Sequence, residues 1–483
     1  MNNRKKYIGA LLGIFMSVGA IAQDVEVWSL KEAISHAVRN NLTVRQARLD
    51  VRQSEVSLNQ ARLNQLPTFN GSGSAGYSWG RSIDPTTNDF VNTEVKFSSV
   101  NLNGSFLLFG GLNLRNTIKQ QEANTLSSQA SLKATENNIT LTVANQYLTI
   151  LFAKEQIKIA DSQMETTSRQ VERTRRLVDA GVLPASNLLE FEAQLAGNRR
   201  DLIQARNNLA IAKLNLKQLL QLPAGTEIDV ENPNLELEAI EPLSQSPGAI
   251  YDKAQTVLPE IESADKAVEG SEYGILAAKG DYYPSISIGG ALSTNYSSLG
   301  ENRTIFGDSI TVLQPIGFLE SDRNQVVLTE INTVARSTES GIGVFQQFEE
   351  NFAQRAFISL NIPILNGFRT RNNVQRAHIT RERAELQALQ ARQTIRQNIE
   401  TAYTDVLAAA ESYEASQEQV ESLEEAFRAT EKQYNVGSLN FVDYQLATNN
   451  LFRARSELLN ARFEYIFKKK ILEFYQGEPI SLD

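Results

Sequence analysis

Apolar residues recur at every seventh position along two long stretches of this chain. Between Leu112 and Asp179 the column is Val143, Ile150, Ile157, Met164, Val171 and Val178; between Ala185 and Leu220 it is Leu188, Leu195, Leu202, Leu209 and Leu216. An unbroken seven-residue column keeps one seam of a helix turned toward a partner helix and imposes a left-handed supercoil. The stretches are separated by Ala180-Gly181-Val182-Leu183-Pro184. Gly181 can take the left-handed conformation that ends a helix, and Pro184 fixes the backbone where the next one begins. The pattern predicts a helical hairpin with a tight tip.

The hairpin is written twice. An offset of 256 carries the first column onto Ile399, Val406, Tyr413, Val420, Phe427 and Tyr434, and the second onto Tyr444, Leu451, Leu458, Tyr465 and Leu472, with no gap. Gly181 falls on Gly437, Leu183 on Leu439, Tyr147 on Tyr403, and Arg115-Asn116 on Arg371-Asn372. Agreement over more than a hundred residues marks an internal duplication of one structural unit. Upstream, Leu30 to Asn64 reads as one helix with the column Val44, Val51 and Leu58, stopping at Leu66-Pro67. Ala249 to Lys279 is its counterpart, with Ile261, Val268 and Ile275, stopping at Tyr283-Pro284. There the offset is 217, so the second unit carries 39 additional residues between its first helix and its hairpin.

Between those landmarks the period changes to two. In Ala356 to Ile364 one face is Ala356, Ile358, Leu360, Ile362 and Ile364; in the first unit Val100, Leu102, Gly104, Phe106 and Leu108 alternate with Ser99, Asn101, Asn103 and Ser105. Two more such runs follow the prolines: Phe69, Gly71, Gly73, Ala75, Tyr77 and Trp79, and Ile286, Ile288, Gly290 and Leu292. We read four strands, two per unit, each with one apolar face. A soluble sheet would set that face on a core, but the rest of the chain is seamed helix and offers no layer to cover it. Strands about ten residues long with alternating faces also fit a barrel with lipid outside and water inside, and Tyr77, Trp79, Tyr282 and Tyr283 sit where an aromatic girdle belongs. Four strands cannot close a barrel, and open edges are not tolerated in lipid. The chain must then oligomerise; strand count alone permits two, three or four copies. The 39 additional residues fall in the second strand-to-strand connection, about Ser297 to Asn351, expected on the cell exterior.

The amino-terminal stretch Arg4-Lys5-Lys6, the apolar run Tyr7 to Gly19 and Ala20-Ile21-Ala22 read as a secretory signal, with the mature chain starting at Gln23. After it, no run approaches the roughly 18 apolar residues of a membrane-spanning helix. There is no cysteine, hence no disulfide framework and no cysteine for lipid attachment. Removing the three basic signal residues leaves 44 basic against 56 acidic side chains, a net charge of −12 that excludes nucleic acid as a natural partner. The domain reading is a signal peptide, 1–22; a first repeat, 23–222; a proline- and charge-rich linker, 223–248, wrapping the outside of the helices; a second repeat, 249–476; and a tail, 477–483.

The pattern resembles the TolC family of outer membrane efflux proteins over essentially the whole mature chain. The best single motif is Tyr434-Asn435-Val436-Gly437-Ser438-Leu439-Asn440-Phe441-Val442-Asp443, which looks like the family's second helical tip. The resemblance implies a mainly α chain with a membrane β-barrel portion: a trimer whose twelve-strand barrel continues into a twelve-helix tunnel in the periplasm. It further implies a passive export duct of the outer membrane, docked onto a periplasmic adaptor and an inner-membrane transporter. It assigns adaptor docking to Gly181, Val182, Leu183, Val436, Gly437, Ser438 and Leu439, and a pore constriction to Asp443, Tyr434 and Asn187. Two departures stand out: Leu439 replaces a basic residue and Leu446 an aspartate of the family prototype, while Asn187 stands where the first tip often carries an aspartate. For Asp443 the plain alternative is a first-turn aspartate, favourable at any helix amino end. For the whole chain the alternative is a non-conducting coiled coil of the cell envelope, which explains the heptads but not the strands.

Other motifs carry no chemistry. Gly71-Ser72-Gly73-Ser74-Ala75-Gly76 matches a dinucleotide fingerprint in letters, but strand alternation runs through it and a helix and Pro67 precede it, the reverse of the required order. His36 and His378 are the only histidines, on different helices and without ligand clusters. No cofactor, metal site or catalytic constellation is expected.

Overall fold

The computed structural model of the chain describes residues 26–83, 90–92, 94–232, 243–478 and 480. The signal peptide, part of the linker (233–242) and part of the tail lie outside the described residues. In chain order the elements are β1 (Glu26–Trp28), α1 (Leu30–Asn40), α2 (Leu42–Leu63), β2 (Thr68–Ser78), β3 (Arg81–Ile83), β4 (Phe90–Asn92), β5 (Val95–Gly110), α3 (Asn113–Asp179), α4 (Ala185–Leu219) and β6 (Ile228–Val230). The second half continues with α5 (Pro247–Val257), α6 (Pro259–Gly280), β7 (Ser285–Ser297), β8 (Asn302–Leu319), β9 (Asp322–Ser340), α7 (Val344–Glu350), β10 (Ala353–Asn361), α8 (Arg369–Asn435) and α9 (Phe441–Tyr475). The duplication is kept to the residue: α3 and α8 each have 67 residues, and α4 and α9 each have 35, at the offset seen in the sequence.

Two expectations need correction. Leu30 to Asn64 is two helices rather than one, because Asn41 is extended (φ −60°, ψ 135°). Its side chain accepts from the Thr43 amide at 2.9 Å and donates to the Leu219 carbonyl at 3.3 Å, capping the new helix and tying it to the end of α4. The counterpart Ala249 to Lys279 breaks likewise at Leu258, where Pro259 drives the preceding residue into the extended region. The strand read as Ala356 to Ile364 ends at Asn361, since Pro363 has no N–H to donate.

The chain divides into two compact units that each draw on both repeats. One takes residues up to Gln53, Thr125–Lys266 and those from Glu385 on. Here the heptad columns become cores. Val143, Ile150 and Leu216 pack with Ala33, Ala37 and Tyr147; Ile399, Val406 and Leu472, their repeat equivalents, pack with Ile250 and Ala254. Each buried Val, Leu or Ile contributes about 1.5–3 kcal/mol. A pairing not legible in the sequence joins β1 to β6 in parallel, so that the linker's first part returns to the chain's start. Tyr147, from α3, anchors it by donating its hydroxyl to the carbonyls of Trp28 (3.1 Å) and Glu231 (3.0 Å). Lys154 and Lys213 meet Asp229 of β6 at 2.7 and 3.1 Å. Burial alone would raise the Asp229 carboxyl, but hydrogen bonds from Lys154, the Val230 amide and Lys213 hold it below its ordinary value.

The other unit, Ser54–Asn124 and Ala267–Ala384, holds an antiparallel sheet in the order β10-β7-β5-β2, made of the four strands read from the sequence. Register places Phe69 opposite Gly104, Leu102 opposite Leu292, Phe106 opposite Ile288, and Ile288 and Ile286 opposite Ile358 and Leu360. One face is therefore apolar across all four strands, and the other carries Asn70, Ser72, Ser99, Asn101, Ser285, Ser287, Ser359 and Asn361. The apolar face is uncovered: Ile358 is 72% exposed and Leu360 58%. Helices continue the strands in the same order. Arg62 of α2 pairs with Glu122 of α3, Asn113 of α3 donates to Ala277 of α6, and Arg381 of α8 pairs with Glu272 of α6. The order α2-α3-α6-α8 thus matches β2-β5-β7-β10, leaving α2 and α8 outermost. At the strand-to-helix turn, Gly111 has φ 62° and no room for a side chain, a Cβ there falling 2.1 Å from the Gly280 carbonyl oxygen. Two ribbons, β3–β4 and β8–β9, add strands beyond the four expected; both lie in the strand-to-strand connections.

The face assignment predicts an asymmetry. Leu360→Arg sets a charge on the apolar face at a cost of about 2–4 kcal/mol in lipid, whereas Ser359→Arg points to the polar face and is tolerated. Heat-resistant assembly in outer membrane extracts, read on gels, should fall for the first and persist for the second.

Candidate functional site

The two helical tips are built by the same stop-and-restart device. At the first, Gly181 has φ 73°, and the Val182 and Leu183 amides donate to the Leu177 carbonyl at 2.9 and 3.3 Å. At the second, Gly437 has φ 76°, and both the amide and the hydroxyl of Ser438 donate to the Gln433 carbonyl at 3.0 Å. These bonds satisfy last-turn carbonyls that would otherwise be orphaned. They leave Val182 65% and Val436 79% exposed at the turns, while Leu183 and Leu439 are half-buried.

The restarts differ. Pro184 opens α4 without a side-chain cap. Asn440 caps α9, accepting from the Asp443 amide at 2.9 Å and donating to the Asp443 carboxylate at 2.8 Å. Asp443 is thus fixed by its own cap, exposed, in the first turn, where the helix dipole favours its charge. Asn187 is half-buried, its amide bonded to the Pro184 carbonyl at 3.2 Å.

Behind the turns the four helices of the two hairpins meet in one cluster: Val171 of α3, Phe191 of α4, and Phe441 and Tyr444 of α9, with Phe427 and Tyr434 of α8 against them. Phe191 sits edge-on to Phe441 at 4.4 Å, and Tyr434 stacks on Tyr444 at 4.5 Å. Burial, and then Tyr444 beside Tyr434 and Glu431 beside Tyr444, raise both tyrosine phenols above the ordinary value against the opposing pull of Arg173. They stay neutral, so the stack persists across physiological pH. Polar bonds frame the cluster: Gln170 to the Tyr444 hydroxyl (3.2 Å), Arg173 to Asn435, Gln445 to Gln194, and Asn198 to Thr167 (2.8 Å).

Of the three constriction candidates, Tyr434 belongs to this cluster, while Asp443 and Asn187 lie at the starts of α9 and α4. Phe191, Phe441, Gln194 and Arg173 were not singled out from the sequence. A usable signal existed in the broken duplication: Phe191 answers to Ala447, Phe441 to Ala185 and Arg173 to Ala429. Where a duplicated chain stops repeating, one hairpin supplies the bulk that the other makes room for.

A family model described as outer membrane efflux protein matches residues 33–221 and 250–467, one segment in each repeat. The chain belongs to this family. It is an efflux channel of the outer membrane. The cation efflux system protein CusC of Escherichia coli K12 is 23% identical over 442 residues, covering 90% of this chain and 83% of that one. A second CusC match, from E. coli O157:H7, is 24% identical and spans only 56% of each chain. The outer membrane efflux protein BepC of Brucella suis is 22% identical, over 91% of this chain and 83% of its own. Solved structures carry the same fold. A CusC crystal structure aligns with a TM-score of 0.73 at 19% identity, over 93% of this chain and 92% of that one. The open-state MtrE channel of Neisseria gonorrhoeae aligns at 0.69 and 18% identity, over 93% and 88%. Family membership sets aside the non-conducting coiled coil.

The cluster predicts graded effects. Phe191→Ala empties a buried aromatic site at a cost of about 3–5 kcal/mol, and Asn440→Ala removes a cap worth about 0.5–2 kcal/mol. Val442→Ala, at an exposed position, stays within about 0.5 kcal/mol. Hydrogen exchange of the first-turn amides of α9 should accelerate in that order.

Proposed function

We propose that the protein is a passive, homotrimeric duct that takes cargo from an inner-membrane transporter and a periplasmic adaptor and releases it outside the cell. The observation that carries this reading is the four-stranded sheet which, among the described residues, has an uncovered apolar face and two free edges, β2 and β10. In lipid, edge N–H and C=O groups need partners, which only further copies of the sheet supply. The helices argue for the same ring. Inside the chain α3 meets α6, the hairpin of one repeat meeting the helix before the strands of the next. One copy's α8 against the next copy's α2 repeats that junction, and α2 presents an unpartnered heptad, Leu42, Leu49, Val56 and Leu63, each at least 46% exposed. Three copies give twelve strands, the number the family resemblance implies.

The helical portion then stands in the periplasm. Exposed Val182 and Val436, with Gly181, Leu183, Gly437, Ser438 and Leu439, form the adaptor-docking surface. Asp443 and Tyr434 of the second tip, with Asn187 of the first, supply the constriction: three carboxylates around a narrow mouth concentrate cations. We assign the chain no catalytic role and no cofactor, and read the repeats as 23–222 and 249–476 joined by 223–248. Energy comes from the partner.

In detergent the mature protein should measure as a trimer; a stable monomer retaining its strand content overturns the architecture. In planar bilayers Asp443→Asn should lower cation preference and weaken block by multivalent cations. Unchanged selectivity would leave Asp443 as a helix-start aspartate alone.

A further inference from the structure

The 39 additional residues of the second repeat are accounted for by the β8–β9 ribbon, strands of 18 and 19 residues that pair with each other over nearly their whole length. At about 3.4 Å per residue this ribbon is roughly 60 Å long. It leaves the end of β7 opposite to the end joined to α6. Its root is pinned: the Gln347 side chain of α7 accepts from the Ser297 amide at 3.1 Å, and Asn351 donates to the Asn295 carbonyl at 2.8 Å.

The shaft above this root carries apolar side chains on both faces, among Ser, Thr, Gln and Asn. Register puts Val312 beside Ile331 on one face and Leu328 beside Pro315 on the other, next to Leu313 and Glu330. Ile310, Val312, Leu313, Ile316, Phe318, Val326, Leu328, Ile331 and Val334 are all exposed. Glu330 is the one charged side chain between Ser309 and Phe318 or between Val326 and Val334. Charges return at the turn, with Glu320, Asp322 and Arg323. A lone two-stranded ribbon is marginal in water, and a long, apolar, nearly uncharged edge strand is a template for pairing with another chain. Lipid cannot cover this shaft, because both edges would present unpaired backbone groups to hydrocarbon. A foreign strand satisfies one edge and leaves the other open.

We propose that each β8–β9 ribbon pairs through both of its edges with the ribbons of neighbouring copies of this chain, forming a β-collar on the outer side of the barrel. This rests on the trimeric reading above. The ribbon repeats the problem of the sheet it springs from, with two free edges in the same connection that leads into the outer strand β10, and cyclic symmetry solves both alike. One copy's β8 meets the next copy's β9, the contact is head-to-tail, and a closed ring leaves no edge. Alternating up and down strands keep every new pair antiparallel. The collar narrows the outer mouth of the duct and gives the trimer a second set of contacts beyond the membrane.

The test uses a photo-crosslinking amino acid placed singly in the full-length chain in outer membranes, at Leu313 of β8, at Leu328 of β9, and, as a report on the barrel interface, at Ile358 of β10. Irradiation should shift the chain to bands of two and three times its mass from all three positions. Chain–chain adducts from Ile358 with none from Leu313 or Leu328, or adducts from the latter two to lipopolysaccharide or another protein, overturn the collar and leave the trimer standing. No chain–chain adduct from any position overturns the trimeric reading itself. A variant with 302–340 replaced by a short glycine-serine linker should keep its trimer but dissociate at a lower temperature than the parent; an unchanged dissociation temperature also overturns the collar.

Discussion

An antiparallel sheet with two free edges and one uncovered apolar face is the constraint on which the rest of this protein depends. Each outer strand carries a row of unpaired N–H and C=O groups, tolerable in water and costly by several kcal/mol per group in hydrocarbon. Residues such as Leu360, Ile358 and Leu292 demand lipid; the edges of β2 and β10 forbid it unless another sheet joins them. A ring of copies, as proposed above, would satisfy both demands. The polar face, rich in serine and asparagine, then has water to face on the inside.

The duplicated hairpin meets the same demand in helical terms. Because each strand leads into or follows a helix, the order α2-α3-α6-α8 repeats the order β2-β5-β7-β10, and the outermost helices belong to the outermost strands. The repeat equivalents of inner and outer positions differ accordingly. Ala123 and Ala130 on the inner helix α3 are buried, while Ile379 and Leu386, their counterparts on the outer helix α8, are exposed. Small residues fit a seam closed within the chain; the large apolar ones are left exposed by it. At the tips the duplication breaks in the opposite sense, with Phe191 and Phe441 each paired to an alanine in the other repeat, so that two similar hairpins lock together through one shared aromatic cluster.

Much of this was legible in the sequence because side-chain direction is local. A seven-residue column names a helical seam, a two-residue alternation names a strand with two unlike faces, and the offset of 256 names the duplication without any coordinates. The four sheet strands, the tip turns at Gly181 and Gly437 and the lengths of α3 and α8 follow from those periods. The breaks at Asn41 and Leu258 were also written locally, in a capping asparagine and in a residue before proline, and the heptad columns from Val44 and from Ile261 begin only after them.

What the tertiary structure decided is which distant segments meet. The parallel pairing of Glu26–Trp28 with Ile228–Val230, the anchoring of both strands by Tyr147, the gathering of Phe191, Tyr434, Phe441 and Tyr444, and the register of the β8–β9 ribbon all join residues whose own neighbours in sequence say nothing of the partner. The elements, their repetition and the face each shows can be read along the chain, since these depend on the geometry of the backbone over a few residues. The tertiary structure decided which faces and edges are satisfied within one chain and which are left open, because that depends on the order in which helices and strands lie side by side.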